Sequence, residues 1–114
     1  MLKIQYTESA KADITSLSKV GLETHGISAV VRYNLLIRFT VDQLCKDPNQ
    51  IGAKEVSKKS GVKIFHLRHY SKHVVHEGLK VKNPSHYVCY RVIQGDTLEI
   101  VRILREEMDL DSHL

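Results

Sequence analysis

Only two cysteines occur in the 114 residues, Cys45 and Cys89, and neither sits in a C-x-x-C pair or at a spacing that reads as a disulfide framework. That excludes a disulfide-stapled secreted scaffold and leaves two buried free thiols in a reducing compartment as the expectation. Long apolar runs are equally scarce. The longest, residues 27–44, is broken by Arg32, Asn34, Arg38 and Asp42, and the opening MLKIQYT has no apolar signal-peptide core. The chain is therefore expected in the cytoplasm, with no membrane partner. There is no glycine-rich phosphate loop, no serine, cysteine or paired-carboxylate motif at catalytic spacing, no internal repeat and no low-complexity tract. No segment combines low hydrophobicity with a long block of one charge, so intrinsic disorder is excluded too.

What is present is ordinary for a globular protein. Hydrophobic residues make up 42% and charged residues 26%, and the length suits a single domain, residues 1–114, that buries about two thirds of its unfolded surface. The net charge of +4 is unevenly spread. Residues 1–61 carry nine basic and six acidic side chains, 62–104 seven and three, and 105–114 one and four. A basic middle and an acidic tail admit a polyanion or an acidic protein as partner without requiring either.

Alternation in LKIQY, residues 2–6, predicts a short strand. Thr7 then caps a helix with Glu8 in its first turn, and Ala10, Ile14, Leu17 and Gly21 fall on one narrow face. Gly26 separates it from a longer helix over 27–47 that Pro48 stops. Such a short connection makes the two helices an antiparallel hairpin. The second helix has two apolar lines, one through Val30, Ile37 and Leu44 and the other through Val31, Leu35 and Phe39, more than one neighbour needs, so the helix either packs centrally, the preferred reading, or presents a sticky surface to another chain. Residues 49–61 read as a polar loop, VKIFHLRHY at 62–70 as a strand, and 71–84 as an exposed excursion.

The stretch SHYVCYRVIQGDTLEIVRIL, residues 85–104, reads as a hairpin turning on Gly95-Asp96. That turn pairs Arg91 with Ile100 and Cys89 with Arg102, which makes Arg91 and Arg102 diagonal neighbours on one sheet face. The chain thus reads as an α+β fold of order β-α-α-β-β-β, an N-terminal helical hairpin packed on one face of a small antiparallel sheet, with the other face open.

Four histidines, His66, His69, His73 and His76, are spaced 3, 4 and 3. The segment holding the first two reads as extended, where such spacing scatters side chains over both faces, and no cysteine or acid cluster completes a ligand set, so neither a metal nor another cofactor is expected. A basic stripe of Lys63, His66, Arg68 and His86, interleaved with Tyr70, Tyr87 and Tyr90, is suited to gripping phosphate or a target surface. The same His66, Arg68 and His86 with Arg91 could alternatively move a proton and hold a charged phosphorane in RNA cleavage. Against this, strand aromatics commonly fill cores and strand arginines commonly reach a carboxylate.

The strand and helix order, the opening YTESAKADI, the strands PSHYVCYRV and LEIVRILREEMDL and the final HL together resemble the ParE branch of the RelE/ParE toxins of bacterial toxin–antitoxin pairs. The resemblance implies a small cytoplasmic toxin silenced by a ParD-like antitoxin in a hetero-oligomer. In that superfamily RelE-type members cleave messenger RNA on the ribosome and ParE-type members poison DNA gyrase. Where the cleaving branch has an arginine in its third strand this chain has Tyr87, where that branch has one after the last strand it has Glu106, and no tyrosine follows Tyr90. The resemblance therefore implies a gyrase inhibitor without chemistry of its own or sequence-specific nucleic-acid binding. A ribosome-dependent endoribonuclease is the alternative, and an inactive toxin-like antitoxin binder the second alternative. Lys63, His66, Arg68 and His86 are assigned to the target, Val31, Leu35 and Phe39 to the antitoxin, and Arg91 and Arg102 to anchoring the hairpin and tail.

Overall fold

A computed structural model describes residues 1–56 and 61–114. The elements run β1 (Lys3–Tyr6), α1 (Glu8–His25), α2 (Ile27–Lys46), β2 (Lys54–Glu55), β3 (Lys63–His66), two 3-10 turns (Leu67–His69 and Ser71–His73), β4 (His86–Ile93), β5 (Thr97–Arg105) and α3 (Leu110–His113). The α+β architecture matches the sequence reading, with corrections to the sheet. Five strands are described, in the order β1-β5-β4-β3-β2, and the sheet is mixed rather than antiparallel because β1 joins β5 in parallel. The short β2 lies within the segment read as a loop, whose residues 57–60 fall outside the described residues.

Local chemistry fixes the helical hairpin. The Thr7 hydroxyl accepts the Ala10 N–H at 3.0 Å and caps α1. Gly26, at φ 87°, closes one helix and opens the next, a backbone angle that a side chain would oppose. One line of α2 enters the core as expected, with Ile37 and Leu44 buried beside Leu36, Val41 and Cys45. The second line reaches the core only at Phe39, which is half-buried and packs against it. Val31 is 38% and Leu35 41% exposed, because the sheet meets the neighbouring line through Leu36 and Thr40 instead.

Strand β3 is shorter than expected. After His66 the chain turns into a 3-10 helix, since the His66 Nδ1 accepts the Arg68 N–H at 3.0 Å and so caps the turn. The two 3-10 turns carry Tyr70 and His73 over Phe39, with ring centroids 5.4 and 6.0 Å away.

In the β4–β5 hairpin the turn centres on Gln94 and Gly95, at φ 56° and 73°, one residue earlier than expected. Ile93 therefore pairs with Thr97, Arg91 with Glu99 and Tyr90 with Ile100. Val101 is then left without a partner as a bulge, and Cys89 meets Arg102 as predicted. Leu98 and Ile100 consequently share the helix-covered face with Val88 and Tyr90, and Arg91 stands opposite Glu99 rather than Ile100. The opposite face is not open along its length. Val62, Ile64, Cys89 and Leu104 form a second small core there, covered by Val56 and by Met108 and Leu110 of the returning tail.

Candidate functional site

The bulge is where the first helix and the last strand are joined. Thr7 Oγ1 donates to the Val101 carbonyl at 2.7 Å. Six residues further along, in the second turn of α1, Asp13 takes Arg102 in a two-pronged contact, Nε to Oδ2 at 2.7 Å and Nη2 to Oδ1 at 2.9 Å, and its Oδ2 also accepts the Ile103 N–H at 3.0 Å. This hydrogen bonding raises the Arg102 pKa above its ordinary value. The Nη1 of Arg102 reaches the His113 carbonyl at 3.4 Å, so the same guanidinium touches the tail. Arg91 has a carboxylate of its own, Glu99 Oε1 at 2.8 Å, but is 45% exposed where Arg102 is 24%.

The tail is held a second time by His66. That residue follows Ile64 on the face away from the helices, stands edge-on to Tyr87 with ring centroids 4.9 Å apart, and bonds Glu106 Oε2 through Nε2 at 2.7 Å. With Nδ1 accepting from Arg68, the ring proton belongs on Nε2 and is donated to the carboxylate. His66 is 2% exposed, and both of its nitrogens are occupied.

His86 lies on the other face. Tyr33 Oη accepts the Ser85 N–H at 3.1 Å and shares a hydrogen bond of 2.6 Å with His86 Nδ1, which the Ser85 hydroxyl also approaches at 3.4 Å. Burial, reinforced by the Arg105 guanidinium, lowers the His86 pKa, and burial raises that of Tyr33. The pair lines a cavity of about 920 Å³ between the helical hairpin, the 80–86 segment and the end of β5.

The structure thus distributes Lys63, His66, Arg68 and His86 rather than aligning them as one stripe. His66 and His86 are on opposite faces, Arg68 is exposed on a 3-10 turn, and the Lys63 ammonium bonds the Asn49 side chain. The interleaved tyrosines are not free either, for Tyr90 is 1% exposed and donates to the Pro48 carbonyl at 2.6 Å. His66, Arg68, His86 and Arg91 do not converge on a common point for catalysis. Among the described residues no group of three or more His, Cys, Asp or Glu side chains is placed to hold a metal, and no helix is long and apolar enough to cross a membrane. Val31 and Leu35 continue from Ile27, 71% exposed, as an apolar stripe along α2 that ends at Phe39 under the 3-10 turns. Sequence reasoning missed Asp13 and Tyr33. Asp13 stands inside the quoted YTESAKADI, but nothing local marks it as the partner of an arginine 89 positions later.

No curated protein matches the chain. Among solved structures, a chain described as the chromosomal ParDE TA system from P. aeruginosa superposes with a TM-score of 0.67 at 22% identity, covering 94% of this chain and 98% of that one. That likeness shows the fold. Residues 4–110 match the family described as the ParE toxin of the type II toxin-antitoxin system parDE. With nearly the whole chain covered, from β1 through the tail, this protein belongs to the ParE toxin family.

Proposed function

We propose that this toxin inhibits DNA gyrase by binding, has no bond-breaking chemistry of its own, and is neutralised in the cytoplasm by a ParD-like antitoxin in a hetero-oligomer. The observation that carries the reading is the His66–Glu106 contact. A histidine on the outer sheet face is the natural proton carrier for RNA cleavage, and here it is buried, spends one nitrogen on a backbone cap and the other on a carboxylate from the tail. Membership of the ParE family supports the gyrase target. Contact falls to the exposed Arg68, with Lys63 and the tail beside it, while His66 shapes the surface from beneath and His86, on the helix-covered face, lies away from it.

The antitoxin covers the stripe of Ile27, Val31 and Leu35 and the edge of Phe39. Apolar side chains at i, i+4 and i+8 on one helix offer a row of anchors to an amphipathic segment, and large side chains in such a row are seldom left bare on a monomer. Purified protein added to gyrase supercoiling reactions, and in parallel to a translating extract with primer-extension readout, tests the reading. Lost supercoiling with intact message supports it. Message cut at ribosomes with normal supercoiling supports the endoribonuclease, and no effect in either supports the inactive antitoxin binder.

A further inference from the structure

The cavity beside Tyr33 and His86 lies on the face of the sheet away from His66 and Arg68. Arg32, on the first turns of α2, is only 9% exposed, and no carboxylate pairs with it directly among the described residues. Its Nε and Nη2 donate to the His76 carbonyl at 3.3 Å, and Nη2 donates to Ser28 Oγ, which in turn bonds Glu77 at 2.7 Å. Nη1 makes no hydrogen bond among the described residues, and the Arg32 side chain lines the cavity. Lys80, Lys82 and Arg105 stand around the same space, and the first two have no acidic partner among the described residues.

Hydrogen-bond direction adds to this. His86 Nε2 has no partner among the described residues, and in the tautomer whose Nδ1 accepts from the Tyr33 hydroxyl it carries the ring proton and is a further donor. Asp13 is the one carboxylate in the lining, and its oxygens are already committed to Arg102 and Ile103. The cavity therefore presents donors and positive charge to any occupant. Leu17, Val20, Val30 and Val81 supply an apolar wall, and the volume of about 920 Å³ is within the range of small-molecule sites.

We propose that this cavity binds a small organic phosphate of nucleotide size, its phosphate met by Arg32, Lys80, Lys82 and the His86 Nε2–H and its uncharged part lying on the aliphatic wall. Charge-assisted bonds from a fixed guanidinium favour a phosphate oxygen over water. The proposal is independent of the gyrase reading, since it rests on the opposite side of the sheet from His66.

Isothermal titration of the purified full chain with AMP, ATP and inorganic phosphate, and separately with a polyglutamate peptide, tests it. The expected result is one nucleotide per chain, competed by inorganic phosphate and weakened roughly ten-fold or more by the paired exposed changes Lys80→Glu and Lys82→Glu. Arg32→Lys, which keeps the charge but loses the fork, should weaken binding without unfolding the chain. A charge-matched control with Lys3→Glu and Lys54→Glu, on the two edge strands, should bind as the parent does. Absence of nucleotide binding, an equal loss in the control pair, or binding of the acidic peptide in place of nucleotide would each overturn the proposal.

Discussion

Arg102 and Asp13, 89 residues apart, meet through two hydrogen bonds of 2.7 and 2.9 Å at the point where β5 bulges. The bulge breaks the ladder regularity at Val101, and α1 supplies what the ladder no longer does: the Thr7 hydroxyl for the Val101 carbonyl, and Asp13 for the Ile103 N–H. Two of the stretches that carry the family likeness, YTESAKADI and the LEIVRIL of the last strand, are thus one physical joint.

Breaking that joint should cost stability. Arg102→Ala and Asp13→Ala are each expected to lower the unfolding free energy by about 1–3 kcal/mol, since each leaves a largely buried charge unpaired. The double variant should lose less than the sum. Urea denaturation of the four proteins measures this, and additive losses would show that the pair is not coupled.

Arg91→Ala should be milder, about 1 kcal/mol or less, because the guanidinium is 45% exposed and water screens its bond to Glu99. If Arg91→Ala keeps its melting temperature but loses toxicity, Arg91 is a contact residue and its anchoring role is refuted.

The two lines of α2 should separate in mutagenesis. Leu36→Ala, at a position with no exposure, is expected to cost about 2–5 kcal/mol. Val31→Asp and Leu35→Asp, on the exposed line, should change stability by about 1 kcal/mol at most and yet abolish neutralisation by the antitoxin. Co-expression rescue of growth reads the second effect, and full rescue would move the antitoxin elsewhere.

Stability should fall with acidification. The lowered pKa of His86 means that the unfolded chain takes up the proton before the folded one does. Its contribution is complete above the unfolded-state value near 6.5 and is lost as pH drops from there toward the folded-state pKa. His69 acts in the same sense, lowered by burial and by Arg68. His86→Gln should flatten the dependence of urea midpoint on pH in this window, and an unaltered slope would contradict the assignment.

Neither thiol should react in the folded chain. Cys89 has no exposure and burial pushes its pKa up to about 12, while burial also raises that of Cys45. An aromatic disulfide reagent at neutral pH should titrate no thiol before denaturant is added and two after. Fast reaction of either in the native protein would mean that the core opens readily.

The hairpin of helices was legible because its signals are local. Thr7 with Glu8, Gly26 and Pro48 each act within a turn of themselves, and Ala10 with Ile14, Leu17 and Gly21 marks a face by spacing alone. Below the bulge the β4–β5 register was legible too, with Cys89 opposite Arg102. What escaped depends on distant partners. Parallel pairing of β1 with β5 has no turn to announce it, and the bulge at Val101 is fixed by Thr7 and Asp13 rather than by its neighbours. His66 looked like a strand residue free to face a ligand, whereas its ring caps a 3-10 turn and holds Glu106. The open line of Val31 and Leu35 reads like core because periodicity records that a face is apolar, not what covers it.

The central claim is that this toxin acts by holding gyrase rather than by cutting RNA. Plasmid incubated with gyrase and the purified chain, then treated with detergent and protease and run on a gel, addresses it most directly. Linear plasmid that accumulates with toxin dose and disappears on adding the antitoxin is the predicted result. Plasmid that stays fully supercoiled, while the same preparation cuts messenger RNA in a translating extract, would contradict it.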